Sequence, residues 1–206
     1  MTVSKTKAKL VDVARQLFAK MGVENTTMND IALASKKGRR TLYTYFKSKE
    51  DIYMAVVESE LDMLSDMMKR VAEKNISPDE KMIEMIYTRL DAVKEVVFRN
   101  GTLRANFFRD IWRVEKVRKR FDAKEILLFK DVLREGVEKG VFRIDDIDMT
   151  AELVHYCVKG IEVPYIRGHI GAKLDDETRD KYVVNLVFGA LHSCLLYTSP
   201  SPRDMR

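Results

Sequence analysis

An all-α protein is expected from three features of the chain. Apolar residues recur at helical spacing through nearly its whole length, no segment alternates with the period of a strand, and proline is scarce. Only four of the 206 residues are proline, and two of those, Pro200 and Pro202, lie in the final tail. The length is enough for one large core, or for a small domain beside a larger one.

The first helix is expected over Ser4 to Met21, where Leu10, Val13, Ala14, Leu17, Phe18 and Met21 fall on one face. Gly22 stops it. Thr27 stands at an N-cap position ahead of Met28-Asn29-Asp30-Ile31-Ala32. The turn Ser35-Lys36-Lys37-Gly38 separates that helix from Arg39–Phe46, whose Leu42 and Phe46 share an inward face. Ser48 with Asp51 approximates a capping box for a long helix reaching about Lys74, with Ile52, Val56, Met63, Met67 and Val71 at helical spacing.

Asn75-Ile76-Ser77-Pro78-Asp79 is a stop followed by an N-cap serine with proline in the first turn. The helix it opens is expected to end near Arg99. A short and a long helix should follow between Leu103 and Gly140, with a break near Val114. Asp148 is expected to cap a helix that Pro164 halts, and Asp175 or Asp176 starts the last one, reaching about Leu196. Roughly nine helices result. The tail TSPSPRDMR cannot pack a core and is read as disordered over 199–206.

Charge is distributed unevenly. Residues 1–50 hold 11 Lys and Arg against four acids, although the whole chain carries a net charge of only +5. A basic end on a slightly acidic body points to a polyanion as the partner of that end alone. The basic run Lys116, Arg118, Lys119, Arg120 is read instead as a solvated helix face.

The segment TTMNDIALASKKGRRTLYTYFKSKEDIYMAVVESEL, from Thr26 to Leu61, orders a short helix, a basic turn, a second short helix and a serine-capped third. It resembles the DNA-binding end of the TetR family of bacterial transcriptional regulators, whose pattern runs roughly I-A-x-x-A-G-V-S-x-G-T-L-Y-x-Y-F-x-S-K-E-x-L. Ile31, Ala32, Thr41, Leu42, Tyr43, Tyr45, Phe46, Ser48, Lys49 and Glu50 match it. The match covers about the first quarter of the chain; the remainder is similar to the family in length and helical layout.

The resemblance implies a helix-turn-helix domain over 1–50, a helical ligand-binding and dimerisation domain over 51–198, and a homodimer on a double-stranded DNA operator. A small-molecule effector would tilt the long linking helix and release the DNA. In the alternatives, the protein is an activator or a ligand-independent regulator, or a small-molecule-binding bundle without specific DNA recognition.

Candidate DNA contacts are Thr27 at the start of the bracing helix, Arg39, Arg40, Thr41, Tyr43, Thr44 and Tyr45 on the recognition helix, and Lys49, which matches the family lysine that grips backbone. An arginine can take guanine O6 and N7 together, and the smaller groups can reach phosphates, sugars or a thymine methyl. Which of Arg39 and Arg40 faces the bases stays open. Lys36 stands where the family turn has glycine, and Gly38 where it has a serine cap, so the glycine is expected to have moved along the turn.

Candidate pocket residues are Met63, Met67, Tyr87, Phe108, Trp112, Phe129 and Tyr156, large apolar side chains of the kind that small-molecule sites use, each weighed against an ordinary place in the core. Candidate dimer contacts are Val154, Val158, Leu186 and Ala190. No catalytic constellation is visible. His155, His169 and His192 are widely separated, and neither metal spacing nor a glycine-rich phosphate loop occurs. No cofactor and no metal is therefore expected. Cys157 and Cys194 lie in apolar periodic segments and are read as buried free thiols. The charged N-terminal turns lack an apolar signal core, and the apolar run from Val183 to Tyr197 is shorter than the ~20 residues that span a bilayer; the chain is read as cytoplasmic, without a membrane partner.

Overall fold

The computed structural model describes residues 5–99 and 111–166, with further positions between 169 and 186. Seven helices have both ends described, and no strand occurs among the described residues: α1 (Lys5–Met21), α2 (Met28–Ala34), α3 (Arg39–Tyr45), α4 (Lys49–Ala72), α5 (Pro78–Arg99), α6 (Ile111–Glu138) and α7 (Ile147–Ile166); described positions between 177 and 186 are helical as well. None of the described helices is long and apolar enough to cross a membrane.

The chain divides into two compact units, one of residues 1–65 and 92–121, the other of 66–91 and 122–206. In the first unit the predicted stripe of α1 is realised in part, with Val13 and Leu17 half-buried, Met21 exposed and Val11 buried in addition. Leu10, Ala14 and Phe18 are buried with Ile31 and Ala32 of α2, Leu42 of α3, Phe46, and Ile52, Tyr53, Val56 and Val57 of α4. Phe18 meets Tyr53 edge-on, with ring centroids 6.2 Å apart. Arg15 ties α1 to α4, pairing with Glu60 at 2.6 Å and donating to the Ser59 hydroxyl at 2.7 Å.

In the second unit Met68, Met82, Met85, Ile86, Leu90, Phe129, Val132 and Leu133 are buried. Ion pairs join its helices. Lys81 of α5 meets Glu135 of α6 at 2.7 Å, while Lys139 reaches the same carboxylate at 2.6 Å. The two ammonium groups, Lys139 foremost, hold the Glu135 carboxyl below its ordinary value.

Local chemistry accounts for the helix ends. Gly22 and Gly140 take positive φ, 84° and 69°, and close α1 and α6 as expected. The Ser48 and Asp51 box forms, with Asp51 N–H donating to the Ser48 hydroxyl at 3.1 Å and Ser48 N–H to the Asp51 carboxylate at 3.2 Å. Ser77 N–H and hydroxyl both donate to Glu80 at the start of α5.

Three expectations are corrected. No break occurs near Val114, because α6 is continuous from Ile111. The residue capping α7 is Asp146, whose carboxylate accepts from Met149 N–H at 2.9 Å; Asp148 already lies inside the helix. Pro164 does not halt α7, which runs through it to Ile166. The residue four positions back, whose carbonyl the proline ring crowds, is Gly160. The short helix expected to begin at Leu103 and the tail lie outside the described residues, as does Cys194. Cys157 is a free thiol, but an exposed one.

Candidate nucleic-acid interface

The first contact surface is built on the N-terminus of α2. Thr27 is extended, at φ −104° and ψ 160°, and forms a reciprocal capping box with Asp30. Asp30 N–H donates to the Thr27 hydroxyl at 3.2 Å, while Thr27 N–H and hydroxyl both donate to the Asp30 carboxylate, at 2.8 and 2.6 Å. Those hydrogen bonds, the hydroxyl's first, lower the Asp30 pKa from its ordinary value. Thr27 is exposed as expected, but its hydroxyl hydrogen is committed to Asp30, so the donors it leaves for a phosphate are the first-turn N–H groups of α2.

The turn settles the register. Lys36 has φ 55°, in the left-handed region, while Gly38 has φ −65° and is the N-cap of α3. The glycine has therefore not taken over the left-handed position. Lys37 N–H donates to Ala32 O at 3.1 Å and Lys36 N–H to Leu33 O at 3.0 Å, the paired bonds of a Schellman closure with lysine where glycine is usual. Gly38 supplies no side-chain cap.

From there α3 is fixed by two inward residues, Leu42 and Phe46, both buried. Lys7 of α1 places its ammonium 5.8 Å from the centre of the Phe46 ring. The opposite face carries Arg39, Arg40, Tyr43, Thr44 and Tyr45, all exposed, with Thr41 half-buried at its edge. The Thr44 hydroxyl donates to Arg40 O at 2.9 Å and so retains only its acceptor side for an incoming group.

Lys49 has a different first duty from the one expected. Its ammonium donates to Val23 O at 2.8 Å and Glu24 O at 3.2 Å, clamping the start of α4 to the turn after α1. Only its remaining hydrogen is left for DNA backbone. That carbonyl pair lies 25 and 26 residues upstream, which sequence spacing does not reveal.

Residues 10–56, which hold this arrangement apart from Lys7, match the sequence model described as bacterial regulatory proteins, tetR family. Among characterised relatives, the transcriptional repressor KstR2 of Mycolicibacterium smegmatis is 28% identical over 152 residues, covering 71% of this chain and 72% of the repressor. The regulator QacR of Staphylococcus aureus is 23% identical over 158 residues, covering 75% of this chain and 83% of its own. Over residues 10–56 this chain is similar to the tetR family of bacterial regulatory proteins. A transcriptional regulator from Cytophaga hutchinsonii shares the fold of this chain, with a TM-score of 0.69 at 21% identity over 90% of this chain and 94% of that one.

The remaining candidate sites are placed less as expected. Phe129 is fully buried and Tyr87 half-buried, whereas Met63, Met67 and Tyr156 are exposed. Phe108 and the Trp112 side chain lie outside the described residues. Of the dimer candidates, Val154 and Val158 are only 3% and 1% exposed and fill the chain's own core, so they offer no surface to a partner. The outward stripe of α7 is instead Met149, Leu153 and Tyr156, with Leu153 55% and Tyr156 61% exposed. Leu186 is exposed, and Ala190 lies outside the described residues. Sequence reasoning also missed one group: Asp122, Glu125 and His155 come together with metal-ligating atoms within 4.8 Å of one another.

Proposed function

We propose that the protein is a homodimeric repressor, which binds a palindromic operator through α3 of each copy and leaves it when a small apolar or aromatic molecule binds the second unit. The observation that carries the reading is the exposed row Arg39, Arg40, Tyr43 and Thr44 on a helix whose back is locked by Leu42 and Phe46. Such a helix presents base-reading groups without losing much side-chain order to docking. The role of the relative KstR2 as a repressor supports the sign of regulation.

A second copy fits the outward stripe of α7. Met149, Leu153 and Tyr156 lie four and three residues apart, the spacing of one helix face, and all are large and exposed. Continuity of α4 from Lys49 to Ala72, with residues in both units, provides the route by which an effector shifts the reading helices. Phe129 and Tyr87 remain the described residues around which an effector would be sought.

The test is selection of bound duplexes from a random pool, followed by sedimentation of the protein alone and on the selected site. An inverted repeat with half-site centres about 34–36 Å apart and two chains per site is expected. Leu153→Asp should dissociate the dimer and abolish tight binding while leaving the monomer helical. Enrichment of no sequence, or an intact monomer on a full palindrome, would overturn the reading.

A further inference from the structure

Six ionisable side chains from three helices meet inside the second unit. Arg89 of α5 pairs with Glu125 of α6 at 2.8 Å and with Glu162 of α7 at 3.1 Å. Lys159 of α7 reaches Asp122 of α6 at 2.6 Å. Between the two carboxylates of α6 stands His155, wholly buried, with Nδ1 at 2.5 Å from Glu125 Oε2 and Nε2 at 3.8 Å from Asp122 Oδ2.

The protonation of the ring follows from its neighbours. Glu125 is paired with Arg89, so it is ionised and can only accept; Nδ1 must be the donor. Nε2 is then left facing a carboxylate beyond hydrogen-bond distance. Both His155 Nε2 and Asp122 Oδ1 are buried without a hydrogen-bond partner. The ring nitrogen faces Asp122 Oδ2, which Lys159 engages, while the other oxygen of that carboxylate is buried without a partner; an unpartnered ring nitrogen beside an incompletely satisfied carboxylate, shielded from water, is an arrangement that a cation relieves.

We propose that Asp122 and His155 Nε2 ligate a divalent first-row transition-metal ion, with Glu125 as the positioning carboxylate on Nδ1. Metal bonds to nitrogen and oxygen of about 2.0–2.2 Å span separations up to roughly 4.2 Å, so the 3.8 Å gap is bridged without moving either helix. A carboxylate on the far nitrogen of a ligating histidine fixes the ring and raises its basicity. The imidazole and carboxylate set suits zinc, nickel, cobalt or ferrous iron.

Two cations compete with the ion. Arg89 binds the Oε1 side of Glu125 and leaves the ring contact on Oε2 intact. Lys159 holds the place of the metal charge on Asp122, and its side chain is 22% exposed, so its ammonium can turn outward when the ion arrives. The inference is independent of the operator and of the apolar effector.

Full-length protein is stripped with EDTA, dialysed and titrated with Co²⁺ while its visible ligand-field absorption is followed. Saturation at a single equivalent per chain is expected, with displacement by Zn²⁺ and a Zn²⁺-dependent rise in melting temperature. Glu125→Gln should weaken binding about 10- to 100-fold, His155→Gln should abolish it, and Lys159→Met should tighten it by removing the competing ammonium. Parent protein that leaves Co²⁺ with the spectrum of the aqueous ion, or Lys159→Met that binds no tighter than parent, overturns the proposal and leaves His155 as an imidazolium between two carboxylates. The parent and Lys159→Met titrations decide the matter even if the His155 variant does not fold.

Discussion

Replacing Lys36 with glycine should stabilise the protein, although it removes a basic residue from the turn and touches no buried atom. Lys36 carries the positive φ of the turn, 55°. For a residue with a Cβ the left-handed conformation costs roughly 1–2 kcal/mol. Glycine removes that strain but adds freedom to the unfolded chain, an opposing term of about 0.4–1 kcal/mol. The net gain is therefore about 0.5–1 kcal/mol, because the two closing hydrogen bonds use backbone N–H groups that glycine retains. For a chain of this size that corresponds to a rise of about 1–4 °C in melting temperature. Lys36→Ala is the control, since it deletes the same charge and keeps the Cβ. If alanine raised the melting temperature as much as glycine, the cost would lie in the crowded positive charge of the turn, and the backbone argument would be wrong.

Thr27→Ala should cost about 1 kcal/mol of stability through the lost cap of α2. Because its Thr27 contacts lower the folded-state pKa of Asp30 below the ordinary 3.8, the stability from that box is complete above the ordinary value and is lost as pH falls through the lower folded value. Melting temperatures of parent and Asp30→Asn between pH 2 and 6 should converge toward the acid end. Lys49→Met should lower the stability of the free protein by about 1 kcal/mol, since it leaves the Val23 carbonyl without its charged donor; a lysine that touched only phosphate would leave the melting temperature unchanged. Gly136→Ala should destabilise by about 1–2 kcal/mol, because a Cβ there would stand 2.0 Å from the Phe142 ring, an overpacking cost that exceeds alanine's gain in helix preference.

The helix ends were legible in the sequence because they are local chemistry. Thr27 with Asp30, Ser48 with Asp51, and Ser77 with Pro78 each announce a start within four residues. Gly22 and Gly140 announce stops. The outward face of α3 was legible for the same reason, since Leu42 and Phe46 fix which side turns inward.

What sequence could not settle depends on partners far along the chain. On α7 two apolar stripes compete, one through Ala151, Val154 and Val158, the other through Met149, Leu153 and Tyr156, and helical periodicity alone does not say which faces in. The Lys49 clamp and the meeting of Asp122, Glu125 and His155 join residues 25 to 33 positions apart, where spacing carries no signal. Lys36 was a local matter that still misled, because the nearby Gly38 offered an easier left-handed residue and the chain uses it as a cap instead.

Sequence-specific reading of DNA by α3 is tested most directly by measuring affinities of the parent, Arg39→Ala and Arg40→Ala for the selected operator and for each of its single base-pair variants at one fixed salt concentration. For at least one of the two arginine variants, the loss should concentrate at a single base pair in each half-site and amount to about 1–3 kcal/mol there, with the other positions read as before. Equal losses on the operator, on every variant and on random duplex, for both arginines, would show that α3 grips only phosphates and does not read sequence.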